Sequence, residues 1–324
     1  MSAPRRLLLL PVATLVSALL WSTFGSFSSA SGQTDEPTVT IDRTHDGDLR
    51  PSFDEPIFIL VVGGDDRRGN DAEGSVRSDS VHIVAIDPVS KKTSIVGLAR
   101  DSFVNIPGRG NDKLAHALFF GGIEGVVDAV ENVSGCQFDY HMLTSFEGFG
   151  GENWNRNGTG GGGIINDIGG ITMNVERPLT DSFALKKVDP IQPGKQSFSG
   201  AQALAWARSR KDASRPGGDF DRSRAQGDIM VAVLRELRGD FAKDPGTALR
   251  ALGAVRRNVR MNIGLTESIE LGLLLLDISP KNVTNIVVDG ALDSDPRAGS
   301  IVRITQEGRN QLTDVCSDGV LDNP

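Results

Sequence analysis

The chain has 324 residues, 39% of them apolar and 23% charged, which suits one large domain or two ordinary ones and excludes wholesale disorder. A net charge of −8 argues against a general nucleic-acid binder, whose phosphate contacts want an excess of Lys and Arg. Two cysteines and four histidines exclude a four-thiolate zinc site, an iron–sulfur cluster and a His-rich site, so a divalent metal would sit on carboxylates, as magnesium, calcium and manganese do.

At the N-terminus Arg5 and Arg6 precede an uncharged run over 7–34, strongly apolar over 7–21. A basic flank followed by an apolar stretch is the pattern of an export segment. Two forms remain open. A cleaved signal peptide would use the small residues near Ser28-Ser29-Ala30, and an uncleaved anchor would use 7–27, close to the ~20 residues that span a bilayer. The expected location is therefore the cell membrane, single-pass with an extracytoplasmic domain, or outside the cell if the segment is cleaved. In an oxidising compartment Cys136 and Cys316 either pair or stay as two separate thiols.

Residues 33–55 are polar and read as a flexible linker. The apolar β-branched runs at 57–62, 81–86 and 93–98 predict strands, the first ending in Gly63-Gly64-Asp65-Asp66. A helix is expected to open at Gly121-Gly122 and run to Asn132 with Val126, Val127 and Val130 on one side. Strands follow at 138–143 and 171–175. The segment 148–163, rich in Gly and Asn, reads as a surface loop. Helices are expected at 199–208 and 221–238, then helix 246–255, strand 259–263, helix 266–278 and strands at 283–288 and 301–304. Strands alternating with helices predict a layered α/β domain, helices packed on a sheet. The division is an export segment at 1–32, a linker at 33–55, a domain at 56–242, and a C-terminal α/β extension at 243–324 packed on the same domain.

Arg and Asp concentrate where the apolar pattern stops, which is where ligands bind in α/β sheets. The stretches are Asp65-Asp66-Arg67, Arg77-Ser78-Asp79, Arg100-Asp101, and 208–226, which holds Arg208, Arg210, Lys211, Arg215, Arg222 and Arg224 against Asp212, Asp219 and Asp221. Arg77 and Asp79 share a side of an extended segment. Asp219, Arg222 and Gln226 share a helix face. Guanidinium forks match phosphate oxygens, and two carboxylates hold Mg²⁺, so a pyrophosphate or phosphodiester is the ligand this pattern suits.

From residue 57 to about 240 these motifs resemble, in order, those of the LytR-CpsA-Psr cell-wall transferases. They include Gly63-Gly64-Asp65-Asp66-Arg67, Arg77-Ser78-Asp79-Ser80, and Ala99-Arg100-Asp101-Ser102 before Ile106-Pro107-Gly108. Lys113-Leu114-Ala115-His116-Ala117, then Ala205-Trp206-Ala207-Arg208-Ser209-Arg210, and then Asp219-Phe220-Asp221-Arg222 with Gln226 complete the series. The resemblance implies a layered α-β-α domain with a central mixed sheet. It implies an enzyme, anchored to the membrane through its N-terminal segment, that moves a glycopolymer from a polyprenyl-pyrophosphate carrier to peptidoglycan, with possible pyrophosphatase activity. The alternative is a non-catalytic extracytoplasmic protein that binds polyprenyl phosphate or wall polymer.

By the same resemblance Asp65 and Asp79 hold Mg²⁺ or Mn²⁺. Arg77, Arg100, Lys113, Arg208, Arg210, Arg222 and Gln226 bind the pyrophosphate. The catalytic set is Arg77, Arg100, Asp101 and Asp219, with Asp219 orienting arginines and Asp101 either a base or a partner of Arg100. Val126, Val130, Ile229, Val233 and Leu237 are candidates to line a prenyl tail, although most read as ordinary core. The departures are Ala99 for the usual Pro, Ala225 for a frequent Arg, a changed residue after Lys113, and the glycine-rich insertion.

Overall fold

The computed structural model describes residues 55–65, 76–151, 162–181, 184–185, 188–210, 216–244 and 246–322. The export segment, the linker up to residue 54, Asp66, Arg67, Lys211, Asp212, Arg215 and most of the glycine-rich loop lie outside the described residues. The first three expected strands form as β1 (Ile57–Gly64), β2 (Ser78–Asp87) and β3 (Lys92–Leu98), each antiparallel to the one before. Their side chains alternate between faces, as the pleat requires. Leu60, Val62, Val81 and Ile83 enter one core, and Ile57, Ile59 and Ile86 enter another.

After β3 the chain makes a hairpin, β4 (Phe103–Ile106) and β5 (Gly110–Lys113), and then α1 (Ala117–Ser134). That helix starts four residues before the expected glycine pair. Gly122, at φ 61 and ψ −157, interrupts it instead, a conformation that needs a residue without Cβ. β6 (Tyr140–Ser145) runs parallel to β1. Next come α2 (Phe146–Gly150), α3 (Ile164–Asp167), and a separate hairpin of β7 (Ile171–Val175) and β8 (Gly194–Phe198). α4 (Gly200–Arg208) starts on a capping box, with Ser199 and Gln202 satisfying each other's backbone N–H groups.

The long α5 (Asp219–Phe241), α6 (Gly246–Asn258), β9 (Val259–Met261) and α7 (Leu265–Asp277) follow. Then come β10 (Val283–Val287), the ribbon β11 (Gly290–Asp295) with β12 (Gly299–Ile304), and α8 (Gln306–Asp318).

The central sheet has the order β10-β3-β2-β1-β6-β9 and is mixed, with β10 parallel to β3 and β9 antiparallel to β6. Two strands from the 243–324 stretch thus extend the same sheet. α1 and α8 pack on one face, through Val126, Val130, Leu312 and Val315. α7 covers part of the other through Leu271, and α5 lies against β2, β3 and β10 there. A third apolar cluster joins β7, β8, α4 and α5 around Ile171, Phe198, Ala203 and Ile229. Val126 and Val130 belong to a different core from Ile229 and Val233.

Cys136, just after the Gly135 cap of α1, is bonded to Cys316 of α8 with a Cα separation of 4.8 Å. The pairing that the sequence left open is thus present, and it staples the C-terminal helix to the centre of the chain. Among the described residues no helix is long and apolar enough to cross a membrane.

Candidate active site

Antiparallel pairing brings the end of β1 and the start of β2 together with the end of β3, and the start of β4 together with the end of β5. Gly64 pairs with Ser78, Val81 with Leu98, and Phe103 with Lys113. Asp65, Arg77, Asp79, Arg100, Asp101 and Lys113 consequently gather at one end of the sheet. Asp65 N–H donates to Arg77 O at 2.8 Å, closing that end of the strand pair.

Arg100 donates to Asp79 Oδ1 at 2.5 Å. Its Nε lies 3.8 Å from Asp101 Oδ1, which also faces Lys113 Nζ at 3.4 Å. Burial pulls the Arg100 guanidinium down, but Asp79, then Asp101 and Asp219, outweigh it and hold the group above its ordinary value. Arg77 is exposed.

The first turn of α5 delivers the second half. Asp219 accepts from Arg222 at 3.2 Å and faces Arg210 at 3.6 Å. Arg222 is buried, and burial pushes its guanidinium down, with Arg100 and Arg210 adding to that push against Asp219 and Asp79. A group this basic stays charged. Among the described residues the buried Nε atoms of Arg100 and Arg222 meet no hydrogen-bond acceptor. Arg208, in the last turn of α4, stacks on Phe146 at 4.6 Å. Gln226 gives its amide N–H to Ala207 O at 3.1 Å, so it braces the end of α4 that carries Arg208 and Arg210.

The grouping thus holds Arg77, Arg100, Lys113, Arg208, Arg210 and Arg222 against Asp65, Asp79, Asp101 and Asp219, six cations to four anions. Arg222 is buried and Arg100 and Lys113 are partly so, and a cation excess withdrawn from water in this way is relieved by a bound anion. Planar forks converging from two elements suit a ligand with several oxygens around phosphorus.

Two residues escaped the sequence reading. Asp181, in the loop after β7, accepts from Ser209 Oγ and from the Arg210 backbone N–H, both at 3.1 Å, and so fixes the chain that carries Arg210. His82 of β2 is fully buried, with Nδ1 3.1 Å from Ser80 Oγ and Nε2 3.1 Å from the Ser223 carbonyl. It ties the sheet to the residue next to Arg222. Gly97 leaves room for this contact, since a Cβ there would lie 2.3 Å from Ser223 Oγ and 3.0 Å from His82 Nε2. A histidine within Val81-His82-Ile83 reads as one more strand residue, and only its partner 141 residues away reveals its place.

Burial, helped by Arg222, lowers the His82 imidazole from its ordinary 6.5 to about 4, although the bond to Ser223 works against this. Its neutral form stabilises the fold fully above pH 6.5. That contribution drains as pH falls toward 4, because the unfolded chain takes up the proton first. The loss amounts to about 3 kcal/mol over the window. Urea midpoints measured from pH 7 to pH 4 should fall in wild type and stay flatter in His82→Leu. Equal slopes would show that His82 does not titrate in this way.

The LytR_cpsA_psr family model matches residues 22–314. A relative from Bacillus mycoides named polyisoprenyl-teichoic acid–peptidoglycan teichoic acid transferase TagU is 29% identical over 248 residues, 74% of this chain and 72% of that one. A TagU of the same description from Enterococcus faecalis is 27% identical over 315 residues, 94% of this chain and 93% of that one. Among solved structures, the LytR-CPS2A-psr family protein YwtF (TagT) with bound octaprenyl pyrophosphate lipid superposes with a TM-score of 0.59 at 20% identity, covering 81% of this chain and 89% of that one. At that identity the likeness shows the fold alone.

Proposed function

Because the chain belongs to the LytR_cpsA_psr family, we propose that it transfers a cell-wall glycopolymer from a polyprenyl-pyrophosphate carrier to a hydroxyl of peptidoglycan. The observation that carries this reading is the pairing of Arg100 with Asp79 and of Arg222 with Asp219 at one end of the sheet, with cations in excess. The names of the TagU relatives and the octaprenyl pyrophosphate bound to YwtF support the same substrate class.

In the transfer, the acceptor oxygen bonds to the phosphorus that carries the polymer, and the bond to the bridging pyrophosphate oxygen breaks. Prenyl monophosphate leaves, the hydroxyl proton passes to solvent, and a phosphodiester remains. Charge spreads over the phosphoryl oxygens in the transition state, so fixed cations do most of the work. Arg100 and Arg222 are the best fixed, Arg100 by Asp79 of β2 and Arg222 by Asp219 in the same first turn of α5. Arg77, Arg208, Arg210 and Lys113 surround them. Asp101, shared between Arg100 and Lys113, acts as a positioning partner, and Asp219 does the same for Arg210 and Arg222.

Magnesium or manganese fits the donor set. Asp65 and Asp79 are hard oxygen donors at the ends of paired strands, and Asp79 gives Arg100 only Oδ1. Among the described residues no group of three or more His, Cys, Asp or Glu could hold a metal. A magnesium ion that takes most of its ligands from phosphate and water suits such a site. Bound there, it would neutralise charge on the phosphates.

The location follows from the same reading. An N-terminal segment beginning after Arg5 and Arg6 anchors the chain in the cell membrane with residues 33–324 outside, and the Cys136–Cys316 bond suits an oxidising compartment.

The test is reconstitution of the full chain in detergent with a lipid-linked polymer donor and peptidoglycan. Prenyl monophosphate should appear with Mg²⁺ and stop with EDTA. Full turnover in EDTA would overturn the metal assignment, and donor binding without turnover would favour a binding protein.

A further inference from the structure

The hairpin β4–β5 leads from the arginine cluster straight into an exposed aromatic surface that transfer of the polymer leaves unexplained. Ala115 N–H donates to Arg100 O and Leu114 N–H to Ser102 O, both at 2.8 Å, so this segment is laced to the catalytic loop. Ala117 and Leu118 turn inward, and Leu118 packs close to Gly64, the neighbour of Asp65. Phe119 and Phe120 turn outward, each 42% exposed, the only aromatics among the exposed large apolar side chains of the described residues. The two rings stand edge to face at 4.9 Å and 90°. Because Gly122 breaks the helix directly after them, they sit on a separate first turn.

The polar surroundings say what kind of surface this is. The Arg109 guanidinium lies 4.3 Å from the centre of the Phe120 ring, and His116 meets the same ring edge-on. Asp112 holds both side chains in place, His116 Nδ1 at 3.0 Å and Arg109 Nε at 3.6 Å. Asn105 and Asn111 meet on the same hairpin. Flat apolar rings flanked by fixed planar hydrogen-bonding groups match a sugar, which presents an axial C–H face and a rim of hydroxyls and amides. A membrane-contact patch would instead favour cations free of carboxylate partners.

We propose that Phe119 and Phe120, with Arg109 and His116, form the platform on which the glycan strand of the peptidoglycan acceptor stacks, leading one of its hydroxyls toward Arg100 and Asp79. The proposal rests on the transferase reading and names the side from which the acceptor enters.

The experiment measures two things on the full chain in detergent. Calorimetry gives the affinity for an uncrosslinked oligosaccharide of N-acetylglucosamine and N-acetylmuramic acid, and steady-state transfer gives separate KM values for donor and acceptor. In Phe120→Ala the oligosaccharide affinity should fall, and the acceptor KM rise, at least tenfold. The donor KM should change less than twofold, and Phe120→Trp should restore acceptor binding. An oligosaccharide affinity equal to wild type, no binding by wild type, or a loss confined to binding of anionic phospholipid vesicles would each overturn the platform. If wild type binds the oligosaccharide through Phe120 but transfers nothing, the transferase reading fails while the platform stands.

Discussion

Replacing Arg100 by alanine should lower the rate of polymer transfer by roughly two to three powers of ten, the usual cost of removing one preorganised donor from a developing anion. The physical reason is position as well as charge. Arg100 is held by Asp79 at 2.5 Å, with the Asp101 carboxylate 3.8 Å from its Nε, while its backbone carbonyl is tied to Ala115. The side chain therefore spends little conformational entropy when phosphate arrives.

Removing it also leaves Asp79, only 15% exposed, without its cation, so some stability goes with the rate. Arg100→Lys separates the two effects. It keeps a cation near Asp79 but loses the planar fork, so its melting temperature should stay near that of wild type while transfer remains at least tenfold slow. The comparison is transfer kinetics beside a thermal melt. Arg100→Ala with wild-type kcat would remove Arg100 from the chemistry.

The second large effect concerns stability. The double variant Cys136→Ser, Cys316→Ser should lose about 3–5 kcal/mol, because the bond closes a loop between residues 180 apart and restricts the unfolded chain accordingly. For a chain of this size that is a fall of roughly 10 °C in melting temperature. The loss should be felt first by α8, whose apolar contribution to the core is small, chiefly Leu312 and Val315. Thermal melts of the wild type with and without reductant, beside the double variant, are the check. Identical melting of fully reduced and oxidised protein would show that the staple carries no stability.

Where the sequence could be read, apolar runs stopped at charged or glycine-rich punctuation. β1, β2 and β3 are such runs, and the residues at their ends, Asp65, Asp79, Arg100 and Asp101, were legible as a group for that reason. The first turn of α5 was legible from the spacing of Asp219, Arg222 and Gln226. Gly121-Gly122 reads locally as a helix start, whereas the helix begins at Ala117 and Gly122 is an interruption within it.

The hairpin β4–β5 escaped because its strands are four residues long, and much of β5 is polar and exposed. α8 escaped for a related reason. Its sequence is mostly polar, and its buried residues reduce to Gly308, Leu312 and Val315. His82, Asp181 and the Cys136–Cys316 bond depend on partners 28 to 180 residues away, and local pattern carries no information at that range. The roles of Arg208 and Gln226 were placed by resemblance. Their contacts, a ring stack on Phe146 and a bond to the Ala207 carbonyl, add that each also has a structural task.

The central claim is that the end of the sheet carrying Arg100 and Arg222 receives a pyrophosphate. The most direct measurement is a crystal structure of the chain with a long-chain prenyl pyrophosphate and Mg²⁺ bound. The expected result places phosphate oxygens within hydrogen-bond distance of Arg100 and Arg222, with the metal against Asp65 or Asp79. A pyrophosphate seated elsewhere, with these arginines still paired only to Asp79 and Asp219, would contradict the claim.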